Sequence, residues 1–540
     1  MTEKGSRFLQ YMAASTGNLN IVACGAILGW TSPILPKLAE DNPIAPDNQL
    51  LRPITIDEKA WIGSLVPLGV MFGSFVSGYL GEWLGRKRSM LMSTFPFLIG
   101  WILVGTAHDI IQIYAGRFIL GLALAMPFTV LPMGQSLQIA SDVISSMISA
   151  FAKSRRKILI PTVTLSPPSL AQTVLTIGSS VQQVAIRGTL GSFLQLFITF
   201  GFLFSYSVGP FVSYTVFWLL CASLHVAFFI GFMFMPESPH FLLSKGREAE
   251  AAEALARFRG KSLDGVRKEM EEMQTEIEEA YRIKASWNDV FKVKVNIKAI
   301  VLTSILMSFQ EFMGIDVVLF YVEDIFREAG TSNTAISAII IGFVQMISSV
   351  ITPIIVDRSG RKILLVISSI GSGITVGILG AFFYLKNKTD FDTTTIGWVP
   401  LATLVVYIIA YSIGWGPLPW AVMGEMFAPA VKPKASSICV FTIWSFSFLL
   451  TKFFTNVTPD VGFFFFAACC AVNIVFIVFM FPETKGKTLA EIQQKLSRGR
   501  SKAEEIGEES SIRNSVAGAE NKMVIYGDLA EEKGRELTRY

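Results

Sequence analysis

Charge is what this chain has least of. Asp, Glu, Lys and Arg make up 16% of its 540 residues, where a soluble protein carries about a quarter. The balance of +4 is too small to imply a polyanionic partner such as nucleic acid. Histidine is rarer still: His108, His225 and His240 lie in separate segments, with no triad or metal-ligand partner. No phosphate-cradling glycine loop is present either, so neither an enzyme nor a cofactor or metal site is expected. Five cysteines, Cys24, Cys221, Cys439, Cys469 and Cys470, fall in apolar runs, which indicates packing rather than bridges. Those runs lack period-two alternation, which excludes a β-barrel.

What fills the chain instead is apolar: 51% of residues are hydrophobic and the mean hydropathy is +0.51. At about 20 residues per crossing, the continuous blocks predict twelve spans. They fall at 14–34, 62–84, 88–106, 109–133, 189–209, 212–235, 298–322, 334–356, 363–385, 396–424, 436–455 and 459–481. The first block lacks the basic front and cleavage site of a secretory signal and reads as a retained helix. Two spans are interrupted, at Gly314 and over Gly414-Trp415-Gly416-Pro417-Leu418-Pro419. Breaks at membrane depth need protein or a wet cavity to satisfy the freed backbone.

Basic residues set the orientation. Arg86, Lys87 and Arg88, then Arg358, Arg361 and Lys362, then Lys432 and Lys434 all fall on one side, while the 35–60 loop mixes both signs. Both termini are therefore expected in the cytoplasm, and Asn387-Lys388-Thr389 faces outside as a glycosylation candidate. The plan is an all-α membrane protein with twelve transmembrane helices in two six-helix halves. A cytoplasmic N-terminus at 1–13 precedes a first half at 14–243. A polar cytoplasmic helical loop at 244–296 leads to a second half at 297–482. The tail at 483–540, polar and without apolar period beyond about 500, is expected to be largely disordered.

A repeat supports the two halves. Glu82-x-x-Gly85-Arg86-Lys87 recurs as Asp357-x-x-Gly360-Arg361-Lys362, and Pro236-Glu237-Ser238 recurs as Pro482-Glu483-Thr484. Parallel six-helix repeats mark two-half transporters. The first interval, from Glu82 to Pro236, is 29 residues longer than the second, from Asp357 to Pro482. The surplus is carried by a polar, broken tract at 145–186. Two readings of it stay open: retained unspliced sequence, or a regulatory loop.

At this point the motifs resemble the sugar-porter branch of the major facilitator superfamily over roughly residues 10–495. The resemblance rests on Gly78-x-Leu80-x-Glu82-x-x-Gly85-Arg86-Lys87, Gly116-Arg117-Phe118-x-x-Gly121 and Arg187-Gly188. It extends to Pro236-Glu237-Ser238-Pro239, Gly416-Pro417-x-Pro419-Trp420 and Pro482-Glu483-Thr484-Lys485-Gly486-Lys487. Leu28-Gly29-Trp30-Thr31-Ser32-Pro33 looks most like the arthropod facilitated trehalose transporters and their paralogues.

The resemblance implies a cytoplasmic charge network of Glu82, Arg86, Arg117, Arg187, Glu237, Asp357, Arg361, Glu425 and Lys432, pairing when the inner side closes. It also implies a sugar site near the midplane made by Gln195, Gln310, Glu311, Asp316, Tyr321, Gln345, Trp420 and Trp444. Gln310, Gly314 and Tyr321 share one stripe of an unbroken helix, and a break near Gly314 is needed to bring Asp316 round. Glu311 and Asp316 are acids where the family usually has amides, and acids at membrane depth are usually functional. The expectation is a plasma-membrane carrier moving trehalose or a hexose down its gradient by alternating access, with the bilayer as surroundings and protons as a candidate second partner. Two alternatives stay open: a proton-coupled symporter using Glu311 and Asp316, and a non-transporting sugar sensor.

Overall fold

A computed structural model gives the fold, and it describes residues 8–39, 50, 52–130, 195–282, 287–427, 431–484, 491, 492 and 494. Residues 1–489 pack as one unit and residues 490–540 form a second, described at Glu491, Ile492 and Gln494 alone. The tract at 145–186 lies outside the described residues.

Among the described residues eleven helices are long and apolar enough to cross a membrane. The first is α1 (Phe8–Gly29) continued by the short α2 (Thr31–Leu38). Next come α3 (Ile56–Trp83), α4 (Arg86–Gly105) and α5 (Ile110–Val130). A shorter apolar helix, α6 (Gln195–Val208), takes the fifth place, and α7 (Tyr214–Met233) the sixth. The second half begins with α12 (Lys294–Phe312) and α13 (Ile315–Phe320), which together make one broken span. After the short α14 (Val322–Ala329) follow α15 (Thr334–Ser359), α16 (Arg361–Lys388) and a second broken span, α17 (Val399–Ile413) with α18 (Leu418–Met426). The last two are α19 (Lys432–Phe454) and α20 (Pro459–Phe479). Between the halves lie α8 (Pro239–Ser244), α9 (Glu248–Arg259), α10 (Leu263–Arg282) and α11 (Trp287–Lys292). The first three share a small apolar core of Leu242, Leu243, Ala251, Leu255, Val266, Met273 and Ile277.

The chemistry of the helix ends explains where the spans depart from the hydropathy pattern. α3 starts at Ile56 rather than near 62, because Thr55 and Glu58 close a capping box. The Glu58 N–H donates to Thr55 Oγ1 at 3.3 Å, and the Thr55 N–H to Glu58 Oε2 at 2.8 Å. Acids in a first turn also oppose the positive end of the helix dipole. At the other end of α3 the chain turns at Gly85 with φ +91°, and its repeat partner Gly360 turns at φ +89°. An L side chain resists that region, which accounts for the glycine in both copies of the repeat.

The two broken spans repair each other. α12 stops at Phe312, and Gly314 adopts φ +87° before α13 resumes. The Met313 carbonyl freed by that stop accepts from the Tyr407 hydroxyl of α17 at 3.0 Å. In return Gln310 Nε2 on α12 donates at 3.3 Å to the carbonyl of Gly416, which lies in the gap between α17 and α18. Trp415 in the same gap is fully buried, its indole N–H donating to Ser369 Oγ at 2.8 Å and Leu365 O at 3.1 Å. Each break is thus satisfied by side chains, as the membrane interior requires.

Candidate functional site

The residues singled out from the sequence fall into three places. Around the paired breaks, Gln310 is buried and gives its second hydrogen bond to the Tyr411 hydroxyl at 2.9 Å, while its Oε1 has no partner. Glu311 is buried and its Oε2 also lacks a partner. The left-handed turn at Gly314 brings Asp316 round to α19, where Ser447 Oγ donates to its Oδ2. Glu311 and Asp316 lie close enough for their carboxyl groups to interact. Gln345 on α15 is buried with Oε1 unpartnered, and Trp444 on α19 is buried with its indole N–H unpartnered. Phe128 of α5 lies 5.7 Å from the Trp444 ring and 6.1 Å from the half-buried Trp420, joining first half to second. Gln195 is half-buried at the start of α6. Asn20 in α1 and Asn473 in α20 are also fully buried with unpartnered amides, and the sequence reading missed both. Polar atoms at membrane depth without partners are costly, and here they are mostly acceptors, suited to a ligand rich in hydroxyl donors.

Tyr321 departs from its expected stripe. It stands at a second interruption, between α13 and α14, so the stripe of an unbroken helix does not extend to it. Its hydroxyl donates to Thr451 O at 3.0 Å, and its ring packs against Gly63 of α3 and stacks 6.5 Å from Phe454.

The second place is the basic end of the bundle, where the repeat is used twice. Glu237 accepts from the Lys87 N–H at 2.9 Å and so caps α4. Glu483 accepts from the Arg361 and Lys362 N–H groups at 3.2 and 3.1 Å and so caps α16. Arg361 pairs with Glu425 at 3.0 Å, both side chains nearly buried. Arg86 reaches Ser238 Oγ at 3.4 Å. Lys432 Nζ donates to Gly424 O at 3.0 Å. Glu82 and Asp357 sit in the last turns of α3 and α15, and their side chains lie outside the described residues, as does Arg187 entirely.

Arg117 does not belong to this network. α5 begins at Ile110, so Arg117 stands about two turns in from the opposite end. It is fully buried, donates to Ile27 O at 3.0 Å and Ile62 O at 3.2 Å, and stacks 5.1 Å from the Trp30 ring. The family motif signalled a functional cation; counting residues from the helix start places it correctly.

The third place, at that opposite end, was not legible beforehand. Lys59 of α3 pairs with Asp324 of α14 at 2.6 Å, and Asp57 of α3 pairs with Lys452 of α19, whose ammonium also lies 4.4 Å from the Trp61 ring. Both pairs tie the first half to the second. Below them α3 and α19 stay in contact through Trp61 with Phe448 at 6.2 Å and Phe75 with Phe441 at 5.4 Å. The Tyr206 hydroxyl of α6 adds a bond to Leu319 O at 2.6 Å. Asn387 is exposed in the last turn of α16 at this same end, next to Lys386, which donates to Glu328 O at 2.7 Å.

Comparison with known proteins agrees with the architecture. The sequence model of the sugar (and other) transporter family matches residues 46–148 and 176–496, passing over 149–175 within the surplus tract. The facilitated trehalose transporter Tret1 of Bombyx mori is 32% identical over 499 residues, covering 92% of this chain and 87% of the relative. Tret1 of Anopheles gambiae is 31% identical over 494 residues, and the chain spans 56% of that longer relative. Among solved structures, the xylose transporter XylE from E. coli in a partially occluded inward-open conformation superposes with a TM-score of 0.66 at 20% identity. It covers 89% of this chain and 99% of XylE.

Proposed function

This chain belongs to the sugar transporter family, and from that premise we propose that it carries a neutral sugar, trehalose or a hexose, down its gradient across the plasma membrane by alternating access. The observation that carries the reading is the set of buried, unpartnered acceptors on Gln310, Glu311 and Gln345, together with the unpartnered indole N–H of Trp444. A sugar offers many hydroxyl donors and apolar ring faces, and this set offers their complements. With the basic end in the cytoplasm, the halves are tied on the outside by Lys59–Asp324 and Asp57–Lys452. Opening outward must break both pairs. The test is uptake of radiolabelled trehalose and hexoses by transport-null cells expressing the chain. Saturable uptake that stops at equal concentrations is expected; uptake no greater than in empty cells for every sugar overturns the proposal.

A second reading, proton coupling, is favoured by the closeness of Glu311 and Asp316, since two interacting buried carboxyl groups tend to hold one proton between them. Dissipating the proton gradient with a protonophore lowers sugar accumulation on that reading and leaves net uptake unchanged on the first.

Outward opening should itself depend on pH. Glu323, at the start of α14, is buried at the tied end, and burial pushes its carboxyl up to about 8. Asp324 adds to the rise, while Arg327 and Lys37 oppose it. Tyr206 also lies near enough to interact with it. A carboxyl held above its ordinary 4.5 when shut binds its proton more tightly in the shut state. The shut state therefore gains stability as pH falls below about 8 and loses it as pH rises through that value. Lowering external pH from about 8 to about 6 is expected to slow entry, and Glu323→Gln to flatten the profile. Proton symport predicts the opposite slope.

A further inference from the structure

Beside the basic end, a cavity of about 590 Å³ opens between the start of α4 and the helices α8 and α9. Lys87 and Arg88 from α4, Lys245 and Arg247 from the turn after α8, and Arg257 from α9 line it, with Glu237, Glu250 and Glu253 as the carboxylates. Two of those acids are already engaged. Glu237 accepts backbone N–H groups of Lys87 and Ser238, and Glu250 holds Arg247 through Nε at 2.7 Å and through NH2 at 2.5 Å. Lys245 lies 5.5 Å from the Phe241 ring. Lys87, Arg88 and Arg257 remain, with Glu253 as the third carboxylate of the wall. Lys87 feels the attraction of Glu237 as well as the repulsion of Arg257 and Arg88, and none of the three cations is in an ion pair among the described residues. Unpaired cations facing one concave space favour a multiply charged anion.

The surroundings say which anion. Trp83 lines the cavity and is 62% exposed, stacked 6.5 Å from the exposed Tyr79. Exposed aromatic residues at a span end mark headgroup depth. From Arg88 an exposed stripe runs up α4 through Met92, Phe95, Ile99 and Ile102, at the spacing of one helix face. A soluble anion has no use for that stripe; an acyl chain does.

We propose that this cavity binds the phosphate-bearing headgroup of an anionic lipid of the adjacent leaflet, with Lys87, Arg88 and Arg257 on the phosphate and an acyl chain along Met92, Phe95 and Ile99. Because Arg257 lies on α9 and Lys87 on α4, the lipid fastens the helices between the halves to the first half. Basic pockets at the cytoplasmic border of a bundle suit such headgroups. The proposal shares with the transport reading only the membrane setting.

The test uses the full chain in vesicles of phosphatidylcholine alone or with a minor fraction of phosphatidylinositol phosphate, without sugar. Lipid retained on the purified protein is read by native mass spectrometry, together with Tm. The wild type is expected to retain the phosphoinositide and gain Tm. Lys87→Gln with Arg257→Gln is expected to bind it about 10- to 30-fold more weakly. Arg267→Gln with Lys268→Gln, on the exposed face of α10, controls for net charge and is expected to bind like wild type. Lys87→Arg should rescue. Equal retention by wild type and the Lys87/Arg257 variant overturns the proposal, as does equal loss in the control. Inositol phosphate or inorganic phosphate, supplied to protein in phosphatidylcholine, is expected to leave Tm unchanged. A matching gain would assign the cavity to a soluble phosphate and overturn the lipid reading. Because no sugar is present, a failure of transport leaves the result intact.

Discussion

Gln310→Ala is expected to reduce sugar uptake by about two orders of magnitude while the protein still reaches the cell surface. The side chain holds the two breaks together, donating to the Tyr411 hydroxyl at 2.9 Å and the Gly416 carbonyl at 3.3 Å. It also presents an unpartnered Oε1. Truncation strands two acceptors at membrane depth and removes a third from the site. Each buried group left without a partner costs about 1–3 kcal/mol, and about 2.7 kcal/mol is a hundredfold in an equilibrium. Gln310→Glu keeps the acceptors but removes the donor, so it should fall nearly as far. The measurement is initial uptake per molecule of surface-labelled protein, and an alanine variant retaining more than half of wild-type uptake would sink the assignment.

Arg361→Ala is expected to be the most damaging single change at the basic end. It removes the partner of Glu425, which sits 3.0 Å from the guanidinium and is 10% exposed, while the backbone N–H groups that Glu483 caps stay in place. Breaking a buried pair by removing one member costs about 3–5 kcal/mol, because the other charge stays behind uncompensated. The double variant Arg361→Ala with Glu425→Ala should recover part of that loss. Arg86→Ala, at the repeat-related position, should cost far less, since its hydrogen bond is to the Ser238 hydroxyl at 3.4 Å. Tm of the three variants decides the matter. If Arg86→Ala and Arg361→Ala destabilise equally, the pair with Glu425 is not the cause.

How far these features could be read in advance depended on sequence distance. The spans were legible because burial in lipid demands long apolar runs, and the two breaks because glycine and proline mark them. The capping roles of Glu237 and Glu483 were latent in the repeat: two glycines at matching turns, each with an acid arriving after the same number of spans. The acid pair needed one further inference, that Gly314 would turn the backbone, and the positive φ there supplies it. The stripe that grouped Tyr321 with Gln310 assumed an unbroken helix, and the chain makes two breaks where the sequence marks one. Arg117 was grouped by motif rather than by depth, and the few residues between it and Ile110 outweigh the resemblance. Lys59 with Asp324 and Asp57 with Lys452 had no local signature at all. Charges at the ends of spans look like solvated topology markers until the fold brings partners hundreds of residues apart into contact.

Those two pairs have opposite polarity. Asp57 and Lys59 stand two residues apart on α3, so they point to different sides of the helix, and each finds its opposite on a separate element of the second half. A seam stitched with one sign on each face would close in several alignments with similar energy. This seam is keyed: if the halves met shifted so that α14 faced Asp57, acid would meet acid, and if α19 faced Lys59, ammonium would meet ammonium. The closing motion therefore has one resting alignment, like a two-pin plug that enters its socket only one way round.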